Sequence, residues 1–170
     1  MKISLCWWLL LPIGVLAQQQ CYEDITRSTE PEQFIPLAQG QLLHQATGLI
    51  WQRCLYGQQW HESEGHCSGE PVRLSWSEAL LMSVSAGQAG QTEWRLPDVK
   101  EAMSVVERQC VDPAIDITLF PAANSENLWT STTSAGQAAE AWAIAMYSGK
   151  NNLKMKEQQL YVRLVRFSDE

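Results

Sequence analysis

The stretch "HESEGHC", residues 61–67, gathers two imidazoles, two carboxylates and a thiol. A zinc-protease helix uses a related set, with histidines four apart on one face and a glutamate as general base. Here His61 and His66 are five apart, so they share no helix face, and Gly65 disfavours a helix between them. Cys54, His61, His66 and Cys67 still make a chemically acceptable zinc set. In an oxidising compartment the two cysteines are expected to join each other instead, leaving the histidines as loop residues.

Other reactive side chains are scattered. His44, His61 and His66 are the only histidines, and all precede the first predicted helix. The run "TSTTS" at 130–134 offers hydroxyls, but nothing around it resembles a nucleophile elbow. Carboxylates are numerous, and no spacing singles out an acid–base pair. The expectation is a non-enzymatic protein with no catalytic, cofactor or metal residues.

Binding chemistry is better represented. Trp51, Trp60, Trp76, Trp94, Trp129 and Trp142 lie in the body of the chain. Exposed indoles stack on sugars, but in a small domain most of them fill the core. Trp76 and Trp142 fall on predicted apolar faces, whereas Trp60, in a polar loop, is the candidate for exposure. Lys150, Lys154 and Lys156, with Arg163 and Arg166, form a basic cluster in an acidic chain. Those lysines are the candidate grip for an anionic ligand, with a solvated hairpin as the plainer account. In "EWRLPDVKE", Arg95 sits between apolar neighbours, so its charge needs a partner, and Glu101 could supply a bidentate one.

The ends and the composition say where these residues must work. Lys2 begins a positive n-region, Ile3 to Leu11 are apolar, Pro12 and Gly14 break the run, and Val15-Leu16-Ala17 suits a signal peptidase. The apolar run is shorter than the ~20 residues that span a bilayer. Residues 1–17 are therefore expected to be a cleaved signal peptide, with no stable membrane insertion afterwards and a periplasmic or extracellular destination. Its loss removes Lys2 and Cys6, moving the charge from −7 to −8 and leaving Cys21, Cys54, Cys67 and Cys110. An even count in an exported chain reads as two disulfides. Three pairings are possible and spacing alone does not choose. The expected ones are Cys54–Cys67, closing a short polar loop, and Cys21–Cys110, tying the N-terminal segment to the body. An acidic chain without a phosphate-neutralising stripe is a poor nucleic-acid binder, and that class is set aside.

Residues 18–40 read as an extended N-terminal segment and 41–168 as one domain. "QLLHQATGLIWQRC" predicts two short strands about a Thr47-Gly48 turn, followed by a loop over 55–73. Ser75 and Glu78 form a capping box opening a helix, with Gly87 as its stop and a glycine-rich turn over 87–93. Trp94-Arg95-Leu96 then reads as a short strand, and Pro97 turns Leu96 away from helical geometry. Asp98 caps a second helix with Glu101 at its third position, running toward Cys110. Trp94, Arg95, Pro97, Asp98 and Glu101 are thus read as a structural corner. Strands are expected at 128–133, at 141–147 with one face buried, and in "LYVRLVRF", with a turn at 148–152.

The motifs "TGLIWQRC", "WSEAL", "EWRLPDVKE", "LFP", "LWTSTT", "AWAIAMYSG" and "YVRLVR" follow the order seen in the Lcl C-terminal domain family. That domain closes the Legionella collagen-like adhesin, and the resemblance covers nearly all of residues 41–167. It implies an α+β fold: a compact, disulfide-bonded, C-type-lectin-like domain with two helices and antiparallel strands. It also implies an exported binding or adhesion module whose partner is a glycan, or else an accessory subunit bound to another envelope protein. The calcium-lectin motifs are missing, with only "EPV" at Glu70 and "LPD" at Leu96, and no cysteine follows Cys110 to supply a formylglycine-generating pair.

Overall fold

In a computed structural model the described residues are 18–88, 94–121 and 123–168, with the side chains of 83–88 left aside. The expected signal peptide and most of the glycine-rich turn, residues 89–93, lie outside them. Eleven strands occur among the described residues, against a helix α1 at Trp76–Gln88 of 13 residues and a helix α2 at Val99–Met103 of only 5. The expected α+β, C-type-lectin-like domain is therefore corrected to a β-rich fold of several small antiparallel sheets.

The organising element is β9, Glu140–Ala145, flanked by β8, Asn127–Thr133, and β10, Lys150–Met155. Side chains alternate across a strand, and β9 buries both faces. Ile144 and the following Met146 pack with Ala102, Val105 and Val106 around α2. Ala141 and Ala143 pack with Trp129, Leu96 and Ala79 of α1. Small residues on that second face leave room for the Trp129 ring and the helix beyond it. The sequence reading of a half-buried strand is thus corrected to a strand between two cores.

A second sheet has the order β11–β4–β3–β2. It is built from β2, Phe34–Leu37; β3, Gln41–His44; β4, Leu49–Gln52; and β11, Val165–Phe167. Leu42 faces Trp51, and Trp51 faces Val165, so this row of apolar side chains closes the first core. Gly48, at φ 66°, makes the left-handed turn between β3 and β4 that an L side chain resists. The N-terminal segment was expected to be merely extended, yet Phe34 is a buried core residue and β2 is a sheet edge.

The disulfides join Cys21 to Cys110 and Cys54 to Cys67. The first lies across β1, Gln20–Cys21, and β7, Cys110–Val111, which pair antiparallel. The second reaches a hairpin of β5, Gln59–His61, and β6, His66–Ser68, inside the stretch expected to be loop.

At the corner, Arg95 makes an isolated bridge with Val165, not a strand of its own. Its Nη1 and Nη2 each donate to a different oxygen of Glu101 at 2.7 Å. The Glu101 carboxylate also accepts from the Asp98 amide at 2.8 Å, while Asp98 Oδ1 accepts from the Glu101 amide at 2.8 Å. This is the reciprocal capping box, with the arginine added as a third member. Helix α2 stops at Met103, short of Cys110, because the Ser104 hydroxyl donates to the Glu101 carbonyl and Glu107 is drawn toward Ser28 and Thr29.

Candidate functional site

Trp60 is half-buried, not the open platform its polar setting suggested. Three contacts fix the indole. Gly40, at φ 66°, lies so close that a Cβ there would come within 2.5 Å of the ring's Cγ. The Arg53 guanidinium sits 4.4 Å from the ring centroid, and the indole N–H donates to Glu62 at 3.0 Å. Arg53 is itself held by its Nε and Nη2 donating to the carbonyls of Leu119 and Thr118 at 2.7 and 2.9 Å. Burial draws the Arg53 guanidinium below its ordinary pKa, and the nearby Glu62 carboxylate opposes that.

Beside this locked ring opens a polar cleft of about 110 Å³, lined by Gln39, Gly40, Gln52, Cys54, Gln58 and Trp60. Gln58 is committed to the fold, accepting from the Leu55 amide and donating to the Gly69 carbonyl. The side-chain amides of Gln39 and Gln52 take no such role among the described residues, and each offers donors and an acceptor together. The cleft is below the usual 300–1,000 Å³ of small-molecule sites, and so suits a single ring or polar group of a longer ligand.

The lysine cluster does not converge. Lys150 is exposed, while Lys154, on the same face of β10, is half-buried. Lys156 is tied down: its Nζ lies 4.3 Å from the Trp76 ring centroid and donates to the Ala138 carbonyl at 2.8 Å. Arg163 is 2% exposed and turned inward, so it belongs to no surface cluster.

The histidines find plain explanations. His44 is buried and stacked on Phe34 with centroids 4.3 Å apart, and burial lowers its pKa, favouring the neutral ring. His61 and His66 face each other across the β5–β6 hairpin with centroids 5.1 Å apart, and His61 Nε2 lies 2.6 Å from the Ser68 hydroxyl. The thiols that a zinc site would need from Cys54 and Cys67 are bonded to each other.

A larger cleft of about 400 Å³ runs beside the Cys21–Cys110 disulfide, walled by Gln19, Glu23, Arg27, Glu107, Gln109 and Asp116. Nothing in the sequence spacing drew attention to Glu107 and Asp116, which lie on a loop and meet only through Arg27. Arg27 Nη2 donates to Asp116 at 2.5 Å, and its Nε is 3.7 Å from Glu107. Burial alone would raise the Glu107 carboxyl. The Thr29 hydroxyl and the amides of Gln109, Ser28 and Thr29 outweigh it and hold the group below the usual carboxylate range. Burial likewise opposes, and the Thr118 hydroxyl and amide with Arg27 overcome, the raising of Asp116. Both groups are thus kept ionised, and much of their accepting capacity is used inside the fold. A general acid at neutral pH needs the opposite shift.

A family model, the Lcl C-terminal domain, matches residues 40–166. The chain belongs to the Lcl C-terminal domain family. No curated protein and no solved structure matches it. The matched span of this Lcl C-terminal domain runs from Gly40, against which Trp60 packs, to Arg166 of β11. It leaves β1, β2 and the first half of the Cys21–Cys110 disulfide as an N-terminal addition that completes the sheet edge. Family membership makes this an adhesin-like bacterial domain. The two disulfides suit an oxidising compartment outside the cytosol, and no helix among the described residues is long and apolar enough to cross a membrane.

Proposed function

We propose that this Lcl C-terminal domain is an exported, non-enzymatic binding module of the adhesion type, and that its ligand is a glycan docked at the Trp60 cleft. The observation that carries the reading is an indole locked by Gly40, Arg53 and Glu62 beside the uncommitted amides of Gln39 and Gln52. Sugar rings present apolar C–H faces and hydroxyls that both donate and accept. An indole answers the first and side-chain amides answer the second. Pre-organisation matters because ordering loose side chains on binding costs about 0.5–1.5 kcal/mol each.

The lysine grip for an anionic ligand is the weaker form of this proposal, since Lys156 is occupied by Trp76 and Ala138. The test is a glycan array probed with the disulfide-bonded protein, with and without chelator, at two salt concentrations. Chelator-indifferent binding to neutral glycans that survives high salt supports the Trp60 cleft. Binding confined to acidic glycans and lost at high salt transfers the site to Lys150 and Lys154. A blank array with folded protein overturns the glycan reading in favour of an accessory subunit docked on an envelope protein.

A further inference from the structure

Strand β10 is the outer strand of its sheet. It pairs with β9 on one side, and no strand among the described residues borders it on the other. Antiparallel pairing alternates, so one residue turns its backbone groups into the ladder and the next turns them out. The Lys156 amide donates to the Ala139 carbonyl at 2.9 Å, one step beyond the Met155–Glu140 pair. Even-numbered residues therefore bond to β9, and the N–H and C=O groups of Asn151 and Leu153 point outward. Outside the β9–β10 ladder, neither residue makes a backbone bond to any other segment among the described residues.

The two faces of this edge differ. Directly opposed residues share a face, so Lys150, Asn152 and Lys154 stand on the side of Ala145, Ala143 and Ala141. Asn151, Leu153 and Met155 stand on the other side, where Leu153 opposes the half-buried Trp142 and Met155 is 37% exposed. Lysines that fail to converge on a point are thus lined up along one face of a strand whose other face is apolar. Residues 141–156 carry three lysines and no carboxylate, in a chain of net charge −7.

We propose that the β10 edge docks an extended acidic segment of a partner protein. The segment adds antiparallel to the sheet, with carboxylates along the lysine face and apolar side chains along the other. Main-chain bonds from Asn151 and Leu153 supply the affinity, and alternate side chains supply the choice of partner. The lysines decide the occupant. Exposed edges are commonly guarded by charge, and here the guard is all of one sign. Two copies paired antiparallel about Leu153 would set Lys150 of one against Lys156 of the other, and a slip by one full pleat either way again sets lysine on lysine. Like charges directly opposite oppose pairing, whereas a carboxylate in the same place favours it. The site shares no residue with the Trp60 cleft and stands whatever that cleft binds.

The test uses the disulfide-bonded protein and a capped, labelled peptide of alternating glutamate and valine, with a lysine–valine peptide as control. The acidic peptide should bind and the basic one should not, and binding should slow hydrogen exchange at the Asn151 and Leu153 amides. Asn151→Pro removes an outward N–H that the fold does not use, at a place where an edge strand tolerates proline. It should weaken binding about tenfold. Should that variant fail to fold, the peptide carries the same test on the wild type: N-methylation of its valine amides, which meet Asn151 and Leu153, should abolish binding, and N-methylation of its glutamate amides should spare it. Lys150→Gln with Lys154→Gln should weaken binding roughly fivefold and flatten its salt dependence. No binding of the acidic peptide, equal binding of the basic one, or unchanged binding by Asn151→Pro would overturn the proposal. So would heparin binding at these lysines that excludes the peptide and is indifferent to Asn151→Pro, which marks a charge-only grip for an anionic glycan. Dimerisation of the wild type that Asn151→Pro abolishes would give the edge to a second copy instead.

Discussion

Replacing Glu101 with Gln isolates the chemistry of the corner from its shape. In the wild type the carboxylate receives two hydrogen bonds from Arg95 at 2.7 Å and one from the Asp98 amide at 2.8 Å. A glutamine keeps one acceptor oxygen and turns an NH₂ group toward a donor. A hydrogen bond to a charged group contributes about 1.5–3 kcal/mol, but the Arg95 side chain is 32% exposed, so solvent screening reduces this to roughly 1–1.5. The weakened cap adds about 0.5–1 kcal/mol, for a total near ~2 kcal/mol. At about 2–4 °C per kcal/mol for a domain of this size, the midpoint should fall by roughly 4–8 °C. The assay is thermal melting by circular dichroism at neutral and at acid pH. The Arg95 guanidinium, opposed by burial and aided by the Asp98 amide, holds Glu101 below its ordinary pKa. Its contribution is therefore complete above the unfolded value of about 4.3 and is lost as pH falls through the lower folded value. The gap between wild type and variant should close in strong acid. Equal midpoints at neutral pH, or a gap that persists undiminished in acid, would refute the reasoning.

Three further outcomes follow from the same geometry. Glu107→Gln strips charge from a 1%-exposed carboxylate that accepts from the Thr29 hydroxyl at 2.6 Å and the Gln109 amide at 2.8 Å, and should cost about 3 kcal/mol with faster hydrogen exchange at Ser28 and Thr29. Gly40→Ala puts a Cβ 2.5 Å from the Trp60 ring at a positive φ, and should lower stability by about 2–4 kcal/mol while reddening or quenching tryptophan fluorescence. Selective removal of Cys54–Cys67, spanning 13 residues, should cost about 3 kcal/mol, and removal of Cys21–Cys110, spanning 89, about 4.5, so the variant lacking Cys21–Cys110 should unfold at the lower urea concentration of the two.

The parts of this fold legible in the sequence are those written in local chemistry. The Ser75–Glu78 and Asp98–Glu101 caps, the Thr47-Gly48 turn and the alternation in β9 each rest on residues a few positions apart. The strands that escaped notice are polar. Gln59–His61, His66–Ser68 and Lys150–Met155 carry little hydrophobic periodicity, because their pairing comes from a hairpin or a neighbouring strand. Phe34 escaped for a related reason: its partner His44 is ten residues on, across a sheet edge. These pairings also turned the expected α+β balance toward β.

The candidate site divides the same way. Trp60 was visible as an aromatic in a polar stretch, but its restraint by Gly40 and Arg53 depends on the β3–β4 sheet meeting the β5–β6 hairpin. The lysines looked like a cluster because they are close in sequence; Lys156 leaves it through contacts with Trp76 and Ala138. Arg163 read as surface charge, since strand alternation alone does not reveal that both sides of that segment are covered. Glu107, Asp116 and Arg27 meet only in three dimensions, at separations of 80 and 89 residues along the chain.

The central claim is that the locked indole is the binding element. Its most direct test is a glycan array run side by side with wild type and Trp60→Ala, both disulfide-bonded and both shown to be folded by thermal melting. The account predicts that wild type binds a defined set of neutral glycans and that the variant loses them at unchanged disulfide content. Undiminished binding by Trp60→Ala would contradict it.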